Sequence, residues 1–134
     1  MLAFERSDTP DSWQLPQGGL DGREEPFDAA IRELTEETGL TARDVDYLGE
    51  YPEWLAYELP PDKRRRGLGR GQVQRWILFR LTAPETSIRP TEVETPEFRA
   101  WRWMDLAELA ETVIEFRRPI YRKLVPFVAS VAAE

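Results

Sequence analysis

A chain of 134 residues, 41% hydrophobic and 11% aromatic, suits one compact domain and argues against disorder. It contains no cysteine and no histidine, which excludes disulfides, Cys–His and Ser–His–Asp nucleophiles and an ordinary structural zinc site, and leaves acid–base or metal chemistry to carboxylates, Lys, Tyr or water. A net charge of −7 argues against a nonspecific nucleic-acid binder, and no apolar run nears the ~20 residues of a membrane span, so a soluble cytoplasmic protein with no membrane association is expected.

In chain order, Leu2 to Arg6 reads as a short strand and residues 7–12 as a turn-rich loop. Trp13 to Gly19 is a strand end running into a glycine-rich loop. A helix follows: Pro26 suits its first turn, Gly39 its C′ position, and Leu40 can fold back on Leu34. Phe27, Ala30, Ile31, Leu34 and Thr38 recur at helical spacing and form its expected buried stripe. Val45 to Tyr51 and Trp54 to Leu59 alternate as strands. Pro60 to Gly71, with Lys63, Arg64, Arg65, Arg66 and Arg70, reads as a mobile basic loop.

Val73 to Leu81 is expected as one central strand, because Trp76, Ile77, Leu78 and Phe79 are apolar on both faces. Phe98 to Met104 is a further strand. Asp105 then opens a helix with Glu108 as capping-box partner, and a last helix starts near Pro119, with Pro126 as a break or kink. Strands and helices are interspersed, so the class is α/β or α+β.

Glu33, Glu36 and Glu37 sit at i, i+3 and i+4 of the first helix and share one arc of roughly 100°. Their mutual repulsion gains nothing structurally, whereas a divalent cation reverses its sign. On spacing alone, a cation site and a solvated acidic face are equally good readings.

The order of residues adds to this. Gly18, Glu24, Arg32, Glu33, Leu34, Glu36, Glu37, Gly39 and Leu40 match Gly-x5-Glu-x7-Arg-Glu-U-x-Glu-Glu-x-Gly-U, where U is aliphatic. By this match the chain resembles the Nudix hydrolase family. The resemblance implies an α/β/α sandwich with a mixed β-sheet and a loop–helix–loop. It also implies divalent metal, Mg²⁺ with Mn²⁺ as a substitute, on Glu33, Glu36 and Glu37, with a carbonyl of the Gly18-Gly19 loop assisting and Glu24 with Arg32 supporting the site.

Further blocks are similar to one subgroup, the bacterial RNA pyrophosphohydrolases and the asymmetrical dinucleoside tetraphosphate hydrolases. They are Trp13 to Gly19, Trp54 to Pro60, Gly71 to Trp76, Pro96 to Trp103, and Phe116-Arg117-Arg118 with Tyr121. By this resemblance Glu97 is a metal ligand or the base for the attacking water, alongside Glu36 and Glu37 as catalytic candidates. Arg6, Ser12, Arg75 and Arg117 become candidates for phosphate contact, and Tyr57 and Phe116 for stacking on a nucleobase.

Such proteins usually carry another strand ahead of the segment matching Leu2 to Arg6. The expectation is therefore a single domain over 1–134 lacking that strand, with an edge open to pairing, as a monomer or weak homodimer. The expected activity is metal-dependent hydrolysis of phosphoanhydride bonds, first in a 5′-triphosphate or diphosphate RNA end to leave a 5′-monophosphate. The alternatives are asymmetrical cleavage of diadenosine tetraphosphate to ATP and AMP, and a catalytically silent nucleotide-binding module.

Overall fold

The computed structural model describes residues 1–18, 23–63 and 71–132. Its strands are β1 (Leu2–Arg6), β2 (Trp13–Gln14), β3 (Val45–Glu50), β4 (Leu55–Glu58), β5 (Gly71–Gln74), β6 (Ile77–Leu81) and β7 (Phe98–Trp103). Its helices are α1 (Pro26–Thr38), α2 (Leu106–Thr112) and α3 (Arg118–Ala132). The basic segment 64–70, Gly19 and the side chain of Lys63 lie outside the described residues.

The mixture of helices and strands is as expected, and every described strand pair is antiparallel. β1 pairs with β2 on one side and β7 on the other, β3 pairs with β6, and β4 with β5. The single mixed sheet implied by the resemblance is thus divided into three. An apolar cleft of about 840 Å³ lies between two of them, with Leu2 and Phe4 of β1 on one side and Ile77 to Leu81 of β6 on another. Leu34 of α1 and Leu124 and Phe127 of α3 complete its apolar wall, while Gln17, Gly18 and Glu33 line a polar end.

The expected strand from Val73 to Leu81 is corrected to two strands. The Trp76 carbonyl accepts from the Tyr51 N–H at 2.9 Å, and its indole N–H donates to Gln74 Oε1 at 3.0 Å. The same ring stands edge-on to Tyr121, while Arg75 is drawn to Glu50. Residues 75 and 76 therefore leave the ladder, and the chain changes partner from β4 to β3.

Helix α1 begins on Pro26 and ends at Gly39, whose φ of 83° is the left-handed conformation that glycine adopts without a Cβ penalty. Leu40 is buried with Phe4, Ile88 and Phe98, and Leu34 packs against them. Phe27 departs from the expected stripe: it is 43% exposed, edge-on to Tyr47 and Phe79, because it lies in the first turn beyond the covered part of the helix. Thr38 of that stripe is fully buried, with Ala29 and Glu37 beside it, while Ala30, Ile31 and Leu34 are half-buried.

Two other local expectations change. Asp105 caps α2 by accepting from the Ala107 N–H at 3.4 Å, so no box forms with Glu108; the reciprocal arrangement is instead between Thr41 and Asp44. Helix α3 runs through Pro126 without ending. Its buried Ile120, Tyr121 and Leu124 supply packing, worth ~1.5–3 kcal/mol per large apolar side chain, that outweighs the backbone bond proline forfeits. Tyr121 is fully buried and its hydroxyl oxygen accepts from the Leu15 N–H at 2.9 Å, which ties α3 to the start of the glycine loop. Among the described residues, no helix is long and apolar enough to cross a membrane.

Candidate active site

The site is built where α1 passes beneath the Leu15–Gly18 segment. Stepping about 100° per residue places Glu36, Glu33 and Glu37 in that order toward the covered side of the helix. Their exposure follows. The Glu36 side chain is 58% exposed and that of Glu33 is 19%, while Glu37 as a residue is only 4% exposed. The three therefore do not share one solvated face.

Arg32 holds the outer members. Its Nε and Nη2 donate to the two oxygens of Glu24, each at 2.9 Å, the supporting pair expected from the sequence. Its Nη1 donates to Glu33 at 2.7 Å and to Glu36 at 3.2 Å. One guanidinium thus serves three carboxylates. Burial raises the Glu33 carboxyl above its ordinary range despite Arg32, and the charges of Glu36 and Glu97 add to the rise.

Glu37 has no cation of its own among the described residues. Its Oε2 accepts from the Gln17 N–H at 3.1 Å. Burial pushes its carboxyl up to about 9, with the charges of Glu97 and Glu33 and a hydrogen bond toward Glu97 acting the same way. Glu97 is delivered from the segment before β7, where its carbonyl accepts from the Ser7 N–H at 2.9 Å. Glu97 and α1 thereby face one another across the site.

Gly18 closes the site from above. A Cβ there would run into the carboxyl end of Glu33, so only glycine leaves room for that side chain. Gly18 lies over the carboxylates as expected, and Gly19 is outside the described residues.

These residues fit a hard divalent cation. The donors are all oxygen, they are crowded enough to hold one another's protons, and the glycine cradle keeps space beside Glu33. Among the described residues no three carboxylates converge on a single point, since Arg32 draws Glu33 and Glu36 outward while Glu37 turns to Gln17.

The phosphate-contact candidates separate. Arg6 and Arg117 come together on Gln14, whose Oε1 accepts from them at 3.3 and 2.6 Å. Arg6 precedes Ser7, whose N–H donates to the Glu97 carbonyl at 2.9 Å, so it stands next to the segment that brings Glu97 to the site. Arg75 is not with them: it is held by Glu50, by the Pro52 carbonyl at 3.3 Å and over the Trp54 ring. Ser12 contributes backbone bonds to the turn behind Arg6. Tyr57 is 9% exposed, packs on Phe116 at 5.2 Å and bonds Gln72, so its ring belongs to the core.

The structure adds a glutamine network. Gln74 Nε2 donates to Gln17 Oε1 and Gln72 Oε1 at 3.3 and 3.2 Å, joining β5 to the segment that caps Glu37. Its only signal in the sequence is the glutamines of Trp13 to Gly19 and Gly71 to Trp76. Behind the site, Arg99 and the Asp11 N–H hold buried Glu5 down to about 2, anchoring the loop that carries Arg6.

An α/β scaffold that turns carboxylates inward beneath a glycine loop, with arginines beside them, suits the chemistry of phosphate anhydrides. The NUDIX domain model matches residues 1–124, and the chain belongs to that family. It is 45% identical over 130 residues to the RNA pyrophosphohydrolase of Acidiphilium cryptum, covering 92% of this chain and 78% of that protein. It is 47% identical over 116 residues to the RNA pyrophosphohydrolase of Gluconacetobacter diazotrophicus, covering 84% and 68%. Its fold is similar to the Ap4A hydrolase of C. elegans in a binary complex, with a TM-score of 0.67 and 25% identity over 96% of this chain and 86% of that one. Nudix hydrolases generally use divalent metal ions.

Proposed function

We propose that this chain is an RNA pyrophosphohydrolase that converts 5′-triphosphate or diphosphate RNA ends to 5′-monophosphate ends. The observation that carries the reading is Glu37, a buried carboxylate facing Glu97, with Arg6 and Arg117 drawn together on Gln14 close by. The similarity to RNA pyrophosphohydrolases at 45% and 47% identity supports this substrate.

Glu33, Glu36 and Glu37, with Glu97 and the Gly18 carbonyl, would hold Mg²⁺ or Mn²⁺. When bound, the ion neutralises polyphosphate charge and acidifies the attacking water. The remaining work falls to the chain. Glu97, or a glutamate of α1, accepts the proton of that water. Arg6 and Arg117 hold phosphates that do not react. Gly18 keeps Glu33 free to ligate, and Arg32 with Glu24 fixes the outer side of the helix. No covalent enzyme intermediate is needed, and the enzyme acts in the cytoplasm as a monomer or weak homodimer.

The likeness to the C. elegans Ap4A hydrolase favours a second reading, asymmetrical cleavage of diadenosine tetraphosphate. Parallel turnover of 5′-triphosphorylated RNA and diadenosine tetraphosphate, with Mg²⁺ or with EDTA and products identified by mass, tests both. Monophosphorylated RNA ends formed only with Mg²⁺ support the first reading. ATP and AMP as the dominant products overturn it in favour of the second, and no turnover of either makes the chain a silent module.

A further inference from the structure

The junction of Arg6, Gln14 and Arg117 joins two cations through a neutral group. Gln14 is 3% exposed, and its register opposite Phe4 of β1 fixes it beside Arg6. Its Oε1 accepts from Arg6 Nη1 at 3.3 Å and from Arg117 Nη1 at 2.6 Å. Two guanidinium donors can face only the oxygen of an amide, so the orientation of the Gln14 side chain is set by them.

The charge balance around the junction is unequal. Arg6 is paired with Asp8 through Nε and Nη2 at 2.8 and 2.7 Å, which leaves its Nη1 for Gln14. Arg117 pairs with no carboxylate among the described residues, and its Nε is buried with no hydrogen-bond partner. Its guanidinium lies 5.3 Å from the Phe116 ring and 5.9 Å from that of Tyr57, surfaces that orient a cation without neutralising it. A glutamate at position 14 would satisfy both arginines more strongly and cancel a charge. Glutamine holds them and leaves the charge available.

We propose that Gln14 is a positioning residue, a neutral strut that sets Arg6 and Arg117 as a two-pronged clamp for the non-reacting phosphates of the substrate. This rests on the reading that the substrate is a polyphosphate. The clamp borders both carboxylates, since Ser7 next to Arg6 bonds the Glu97 carbonyl and Gln17, three residues after Gln14, bonds Glu37, so an anion held in it reaches toward the carboxylates and the cation they would bind. Because the strut acts on binding and not on the proton carriers, its loss registers in KM and leaves kcat nearly intact.

The test uses the intact chain as wild type, Gln14→Glu and Gln14→Leu. Calorimetry measures affinity for inorganic tripolyphosphate, kinetics follows triphosphorylated RNA, and thermal melts report folding. Gln14→Glu keeps both guanidiniums bonded, so its melting temperature should equal or exceed that of wild type. Its tripolyphosphate Kd and RNA KM should rise about tenfold, with kcat within about twofold. Gln14→Leu should lose affinity in the same direction with a lower melting temperature. Unchanged tripolyphosphate affinity in folded Gln14→Glu, a fall in kcat at constant KM, or no tripolyphosphate binding by wild type overturns the clamp. A wild type that binds tripolyphosphate through Gln14 yet leaves RNA uncut supports the clamp and defeats only the RNA reading.

Discussion

Glu97, just ahead of β7, stands beside the buried carboxyl of Glu37 on α1 and opposes its ionisation. A buried carboxyl with a second carboxylate at its side resists ionising unless a cation joins it. Local helix geometry and long-range sheet pairing thus meet at the Glu37 carboxyl.

This pair makes metal-free stability depend on pH. Folded Glu37 keeps its proton up to about 9, whereas an ordinary glutamate ionises near 4.5. Between these values the folded state binds more protons than the unfolded state, so stability falls as pH rises, by up to about 1.4 kcal/mol per pH unit. Urea titrations in EDTA at several pH values should show this slope, and Glu37→Gln should flatten it. Equal slopes in both proteins would falsify the assignment.

Metal should reverse the loss. A ligand bound only by the native state stabilises it by RT ln(1 + [L]/Kd), so millimolar Mg²⁺ or Mn²⁺ should raise the melting temperature. Glu37 must release its proton to ligate, so the rise should be larger at pH 8.5 than at 6.5. Glu33→Gln should blunt it. A metal response identical at both pH values would count against Glu37 as a ligand.

Glu36→Gln and Glu37→Gln should each lower kcat by about a hundredfold or more with the circular dichroism spectrum preserved. Exposed Glu36 and buried Glu37 should then differ in stability, since only Glu37→Gln relieves a buried carboxylate. Either variant turning over RNA at near wild-type rate in saturating Mg²⁺ removes that residue from the ligand set.

Two glycines should respond oppositely to alanine. At Gly18 the new Cβ meets the mobile carboxyl end of Glu33, so Gly18→Ala should barely move the melting temperature while weakening Mg²⁺ binding. At Gly71 it meets the backbone of Tyr57 and Glu58 across the β4–β5 ladder, which cannot step aside. Gly71→Ala should destabilise by about 1–3 kcal/mol. Chemical denaturation and metal titration of both variants check the contrast, and equal stability losses would contradict it.

What was legible in the sequence was mostly local. Pro26, Gly39 and the spacing of the glutamates define α1 and its acidic arc because each acts within a turn or two. Which edge of that arc is buried depends on Gln17, brought over by the loop, and was not legible. The break at Arg75 and Trp76 needed Glu50, Tyr51 and Tyr121, all distant in sequence. Phe27 fits the helical period, but a period does not say where its covering layer stops. The strut at Gln14 was hidden for the same reason, because Arg117 reaches it across a separation of 103 residues.

The cleft between β1 and β6 has a consequence for packing. Natural interiors are close-packed, and here a cleft of about 840 Å³ that opens to solvent separates β1 from β6. Apolar side chains of both walls therefore lie along the cleft with no partner among the described residues packed against them across it. Filling the gap between Leu34, Leu78 and Phe127 with larger apolar side chains should then raise stability without altering the carboxylates of α1.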